Sequence, residues 1–221
     1  MNFRLACVLA SALLVTACAP ATGFGTIIAA SPSASVPTPT TSAAPVPRDV
    51  PTETHTGKGE GQFAVTWPAD QLGFFTFDCP KCSSNVIIST DGGEFGLVNA
   101  IGRYQGTTWL NTEPDRPTTK VTVLANASWT ATIADYRSLP VAAPGATASG
   151  NGDAVFRIPD GVQAVAFTAK TRGNVALWVH SEKVRDLLVN AIGDQSATVP
   201  VVGPAFLRVD GYEAKWTITP S

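Results

Sequence analysis

Histidine and cysteine are scarce in this chain: two and four among 221 residues. That shortage limits metal chemistry, because a closed zinc site takes four nitrogen or sulfur ligands. No Gly-x-Ser-x-Gly occurs, so the strained turn that presents one class of serine nucleophile is missing. Gly57-Lys58-Gly59-Glu60-Gly61 lacks the Gly-Lys-Ser/Thr ending of a phosphate loop. Positive charge is not in excess either. Lys and Arg total 15 against 17 Asp and Glu, a net charge of -2, and the basic residues are scattered. That balance argues against a nucleic-acid partner. Beyond the first residues, no apolar run approaches the roughly 20 residues that a membrane-spanning helix needs.

What is present begins with an export signal. Arg4 supplies a positive charge, Leu5 to Val15 is apolar apart from Ser11, and Val15-Thr16-Ala17-Cys18 follows. A basic start, a short apolar stretch and small residues before a cut define a secretory signal. The last four residues resemble the lipobox of bacterial lipoproteins. That resemblance implies removal of residues 1–17 and lipidation of the Cys18 sulfur. The expected place is the extracytoplasmic face of the cell membrane. Stable anchoring needs two or more acyl chains, since one is marginal.

Residues 18–56 read as a linker. Ser31-Pro32-Ser33-Ala34-Ser35-Val36-Pro37-Thr38-Pro39-Thr40-Thr41-Ser42 leads on to Pro45, Pro47 and Pro51. Such a stretch has no hydrophobic period and cannot bury enough apolar surface to offset its ordering entropy. At about 3.1 Å per residue, the part from Ser31 to Thr56 would reach roughly 80 Å. Its Ser/Thr-Pro composition also permits O-glycosylation.

The remainder repeats itself. Leu97-Val98-Asn99-Ala100-Ile101-Gly102 recurs as Leu188-Val189-Asn190-Ala191-Ile192-Gly193. Trp129-Thr130-Ala131-Thr132-Ile133 matches Trp216-Thr217-Ile218-Thr219-Pro220, and Gly57-Lys58-Gly59-Glu60 matches Gly150-Asn151-Gly152-Asp153. Three landmarks in one order mark two tandem modules, residues 57–139 and 150–221, joined by a linker at 140–149. Both read as β. Phe63, Val65 and Trp67 alternate with polar or small residues, as do Trp129, Ala131 and Ile133, and Asn85 to Thr90 is a β-branched run. Short strands between Gly, Pro, Asn and Asp turns predict two antiparallel, jelly-roll-like β-sandwiches. The one helical candidate, residues 181–187, is expected as a turn or a single helical turn.

This pattern resembles secreted actinobacterial proteins built from tandem β-sandwich modules. In these a Gly-x-Gly-[Asp/Glu] start, a Leu-Val-Asn-x-Ile-Gly strand and a closing Trp-Thr strand recur. The resemblance implies export and envelope placement. It implies no activity, because its motifs are structural.

Cys79-Pro80-Lys81-Cys82 is the sharpest chemical motif. A redox pair would want a helix N-terminus to lower the first thiol's pKa, and a strand follows instead. A zinc site lacks its other two ligands. A structural disulfide pinning a turn suits an oxidising compartment. The second module has Ala169-Lys170-Thr171-Arg172-Gly173 there, without cysteine. His180, Ser181, Glu182 and Asp186 could be posed as a triad, but sequence neighbours seldom point at one site. Asp70 with Asp78, or Asp153 with Asp160, could pose as paired acids, yet they fall at turns. Glu60, Asp91, Asp153 and Asp186 lack the spacing of a calcium loop. Asn126-Ala127-Ser128 fits a glycosylation sequon but reads as a turn.

Trp129 and Trp216 are equivalent and point inward, as core. Trp67, Trp109 and Trp178 are unshared. Tyr104 and Trp109 lie on one predicted strand, 103–111, an odd number of residues apart, so they face opposite ways. Tyr104, Trp109 and Trp178 are therefore the candidate ligand contacts. The sequence thus reads as a lipid-anchored display protein, not an enzyme. No catalytic residue, metal or cofactor is assigned. Its expected partners are the membrane, through Cys18, and a cell-wall glycan or an envelope protein. The second reading is an accessory of an envelope enzyme, or a thiol-disulfide protein using Cys79 and Cys82.

Overall fold

In the computed structural model, residues 49–221 other than 183 are described. The expected export signal, Cys18 and most of the expected linker lie outside the described residues. The first half supplies eight strands: β1 (Glu53–Lys58), β2 (Gly61–Ala64), β3 (Gly73–Cys79), β4 (Asn85–Thr90), β5 (Gly96–Ile101), β6 (Tyr104–Leu110), β7 (Lys120–Leu124) and β8 (Ser128–Ala134). The second half supplies eight more: β9 (Ala148–Asn151), β10 (Ala154–Ile158), β11 (Ala164–Lys170), β12 (Asn174–His180), β13 (Arg185–Ile192), β14 (Gln195–Pro200), β15 (Ala205–Asp210) and β16 (Lys215–Pro220).

Each half forms two four-stranded antiparallel sheets. The orders are β1-β8-β3-β6 and β2-β7-β4-β5, then β9-β16-β11-β14 and β10-β15-β12-β13. Renumbering the second half from one gives the orders of the first. Both are jelly rolls, in which consecutive strands cross between two facing sheets. Period-two alternation places Phe75, Phe77 and Cys79 inward on β3, with Val165, Phe167 and Ala169 as their counterparts on β11. Burying each large apolar side chain contributes about 1.5–3 kcal/mol.

The repeated motifs interlock. The Trp129 indole donates to the Gly59 carbonyl at 2.9 Å, and that of Trp216 to Gly152 at 2.8 Å. Each ring lies flat on the first glycine of the pair, so a Cβ on Gly57 or Gly150 would overlap it. Gly59 and Gly152 take φ of 73° and 76°, a left-handed turn that glycine adopts without steric cost. The Gly-x-Gly and closing-Trp motifs therefore travel together because they are one contact. The six-residue repeat carries the same irregularity twice. Register slips where Leu97 interrupts the β4–β5 pairing, and again where Leu188 interrupts β12–β13.

Three boundaries differ from the sequence reading. β1 starts at Glu53, inside the expected linker, because Glu53 to Lys58 pairs along the whole of β8. The segment expected to link the modules packs instead. Ala142 enters the second core, Val141 bridges to Arg157, and β9 begins at Ala148. The segment 181–187 makes the expected turn at Ser181 to Val184, but its end from Arg185 belongs to strand β13, which completes the β12 hairpin.

The outward face of sheet β1-β8-β3-β6 meets the outward face of β10-β15-β12-β13. Phe74, Trp109, Leu139 and Val155 form a third apolar cluster there, flanked by Tyr136, Trp178 and Phe206. Phe74 and Phe206 sit 4.9 Å apart between ring centroids, and Trp109 lies 5.8 Å from His180. The Arg208 guanidinium lies 5.4 Å over the Trp109 ring and that of Arg157 5.8 Å from Tyr136. Such stacking lets arginine stems cross an apolar seam.

Candidate functional site

Beside this seam the modules leave a cleft of about 500 Å³. One wall is β5, the turn after it and the start of β6, including Asn99, Arg103, Tyr104 and Gln105. The other comes from Asn151 to Asp153, Arg208, and Asp210 to Glu213. Neither module has this concavity alone. Its surface offers amides, guanidinium groups, carboxylates and phenols, the planar hydrogen-bonding groups that orient a polar ligand.

At its floor the Tyr104 hydroxyl donates to Asp153 Oδ2 at 2.6 Å, across the modules. Asp153 Oδ1 accepts from the Gly211 N–H at 2.9 Å, and its carbonyl accepts from the Thr107 N–H at 3.2 Å. Burial pushes the Asp153 carboxyl above its usual range, and the Asp210 charge adds to the rise. Burial also raises the Tyr104 phenol, with the Asp153 charge second, so the phenol keeps its proton. Gly106 makes the close approach feasible: a Cβ there would meet the Tyr104 hydroxyl at 2.5 Å and the Asp153 Cβ at 3.0 Å. Nearer the mouth, Arg208 pairs with Asp210 at 2.8 Å. Tyr212, on the β15–β16 turn, donates to the Ile101 carbonyl at 3.1 Å and so straps the second module to β5.

Of the three candidate ligand contacts, Tyr104 alone lines the cleft. Trp109 does point oppositely to Tyr104, away from its own core, but it is 1% exposed because the second module covers it. Trp178 is half-buried in the same seam. Trp67 is core. The unshared tryptophans at 109 and 178 therefore hold the modules to each other.

Cys79 and Cys82 are joined in a disulfide, at 0% and 5% exposure. The bond closes the β3–β4 turn within the first module's core, and no helix follows it. His180 faces Trp109 in the seam, and burial lowers its pKa, with the nearby Arg185 charge second. Ser181 instead bonds Val184 in the following turn. Asp91 accepts from the Thr119 hydroxyl and from the Thr119 and Lys120 N–H groups, which tie a turn and hold its carboxyl down at about 2. Among the described residues no three His, Cys, Asp or Glu side chains gather as a metal set.

Asp153 is the residue that sequence reasoning passed over. Its repeat partner Glu60 is exposed, and both read as turn acids. Only the docking of the modules separates them.

No family model and no curated protein matches this chain. Similarity to solved structures is faint. A conserved protein of unknown function from Pseudomonas aeruginosa PAO1 aligns at 10% identity, covering 77% of this chain and 82% of that one, with a TM-score of 0.24. The stem and receptor-binding domain of the spike protein P1 of bacteriophage PM2 aligns at 7% identity, covering 81% and 100%, with a TM-score of 0.20.

Proposed function

We propose that this chain is a lipid-anchored, extracytoplasmic binding protein that takes a saccharide of the cell envelope in the cleft between its two jelly rolls. The observation that carries the reading is the composition of that cleft: side chains from both modules, mostly amide, guanidinium, carboxylate and phenol. Sugars offer many hydroxyls and one apolar ring face. Planar polar side chains meet the hydroxyls in pairs, and a phenol ring such as that of Tyr212, 42% exposed, meets the face. The site is preformed because the seam is aromatic and tightly packed, which lowers the ordering cost of binding. The signal, Cys18 and Pro/Ser/Thr-rich linker support envelope placement.

The thiol-disulfide alternative gains no support: both sulfurs are buried, and reactive cysteines occupy accessible, electropositive surroundings.

The test is retention of the purified chain on insoluble envelope polysaccharide, compared with an Asn99→Ala/Asn151→Ala variant that removes one amide from each wall. The variant should lose retention and keep its melting temperature. Equal retention by both proteins would refute the cleft as the site. Labelling of Cys18 by radioactive palmitate in a bacterial host, absent in Cys18→Ala, tests the anchor separately.

A further inference from the structure

Resting on the cleft reading above, we infer that the ligand also carries an anionic group, bound on a cationic shelf beyond Tyr212. The Tyr212–Glu213 turn is shared by two concavities. One is the cleft; the other is an open groove lined by Lys170, Arg172 and Lys215 together with Asp194. A chain leaving the cleft past the Tyr212 ring runs onto that groove.

The arrangement of charge there is one that a fold does not choose for stability. Lys170 on β11 and Lys215 on β16 are directly opposite each other in the sheet register. Like charges opposite each other across strands are destabilising. Asp194 relieves only one of them, bonding the Lys170 ammonium at 3.0 Å. No ion pair is formed by Lys215 or Arg172 among the described residues. Glu213 is the other carboxylate of the groove, so cations exceed carboxylates by three to two.

The first module has Lys81 and Arg103 near the equivalent turn, but the jelly roll does without the opposed pair of lysines there. Cys79 and Ala169 hold equivalent places, as do Trp129 and Trp216, so the counterparts of Lys170 and Lys215 are Pro80 and Ser128. One copy closes the turn with a disulfide. The other holds it with hydrogen bonds from the Thr171 N–H to Asp194 and from the Gly173 N–H to the Thr171 hydroxyl, and surrounds it with cations. A carboxylate or a phosphate on a sugar would draw the two lysines together and lift their repulsion. Both groups present that chemistry.

The experiment measures binding of the full chain in detergent by calorimetry to trigalacturonic acid, to its neutral methyl ester, and to maltotriose phosphate. Near 0.05 M salt, where the screening length exceeds about 10 Å, the anionic probes should bind about tenfold more tightly than the ester. That advantage should vanish in Lys170→Gln/Lys215→Gln, which should keep its melting temperature, since a repulsion and the exposed Lys170–Asp194 pair are lost together. The preferred anion, carboxylate or phosphate, identifies the source. Equal affinity for acid and ester would overturn the shelf and leave the cleft standing. Absence of binding by every probe would overturn both.

Discussion

Replacing Trp109 by alanine tests whether the modules are one thermodynamic unit. The ring points away from its own sandwich, is 1% exposed, and touches the second module through His180 and Arg208. Truncating a buried aromatic costs about 3–5 kcal/mol, from lost transfer energy and the cavity left behind. Domain stabilities total about 5–15 kcal/mol, so the loss is a large share. With a urea slope of about 2 kcal/mol/M, the midpoint should fall by roughly 1.5–2.5 M. The shape of the curve carries more information than the shift. If the seam couples the jelly rolls, the intact chain unfolds in one transition. Trp109→Ala should then split it into two, because each module keeps its own core. The assay is urea unfolding followed by both far-UV circular dichroism and tryptophan fluorescence. A variant whose single midpoint moved by less than about 0.5 M would refute the seam as the coupling element, since no buried tryptophan in a load-sharing contact is that cheap to remove.

Three further outcomes follow from the geometry. The Asp153 carboxyl has a folded pKa above the ordinary aspartate value of 3.8, so the folded state holds its proton to higher pH than the unfolded chain. Its contribution to stability is then complete below about pH 4 and declines as pH rises through the folded value; Asp153→Asn should flatten that decline in melting temperature against pH. Asp91 works the other way: its carboxyl is depressed to about 2, so its contribution is present above about pH 4 and fades as pH falls toward 2, and Asp91→Asn should remove that limb of the acid-unfolding curve. Gly150→Ala drives a Cβ into the Trp216 ring and should cost about 1–3 kcal/mol in urea unfolding, as Gly57→Ala should against Trp129; wild-type stability in both would mean that the glycine–tryptophan contact is not what the repeat preserves.

The jelly-roll pair was readable in the sequence for a physical reason. The Gly-x-Gly start, the Leu-Val-Asn-Ala-Ile-Gly strand and the closing tryptophan each sit where backbone geometry leaves little choice. Two of them even touch. The strand at Asn85–Thr90 was equally plain, because a β-branched run ends there at a glycine turn. The beginning of β1 was not, since Glu53-Thr54-His55-Thr56 has the polar composition of the linker before it. Its strand state comes from pairing with distant β8. The cleft forms only where the two modules meet, so of its lining the sequence marked Tyr104 alone as a ligand contact. Alternation tells that Tyr104 and Trp109 face opposite ways, but which of them leaves the sandwich and what covers it is a relation between modules, which period and propensity do not encode. Asp153 is hidden for the same reason: locally it is another turn acid like Glu60.

The seam also fixes the order in which the two modules stack. Each jelly roll has the two outward faces needed to continue the stack, so a duplicated unit could add copies end to end into a fibre. The unused faces lack what the used ones have. Ala164 and Pro200 stand where the seam has Phe74 and Trp109, and Ser89 and Lys120 stand where it has Trp178 and Phe206. Duplication supplied two interchangeable building blocks. A handful of aromatic residues then makes them complementary in one order only, so the two copies are no longer interchangeable.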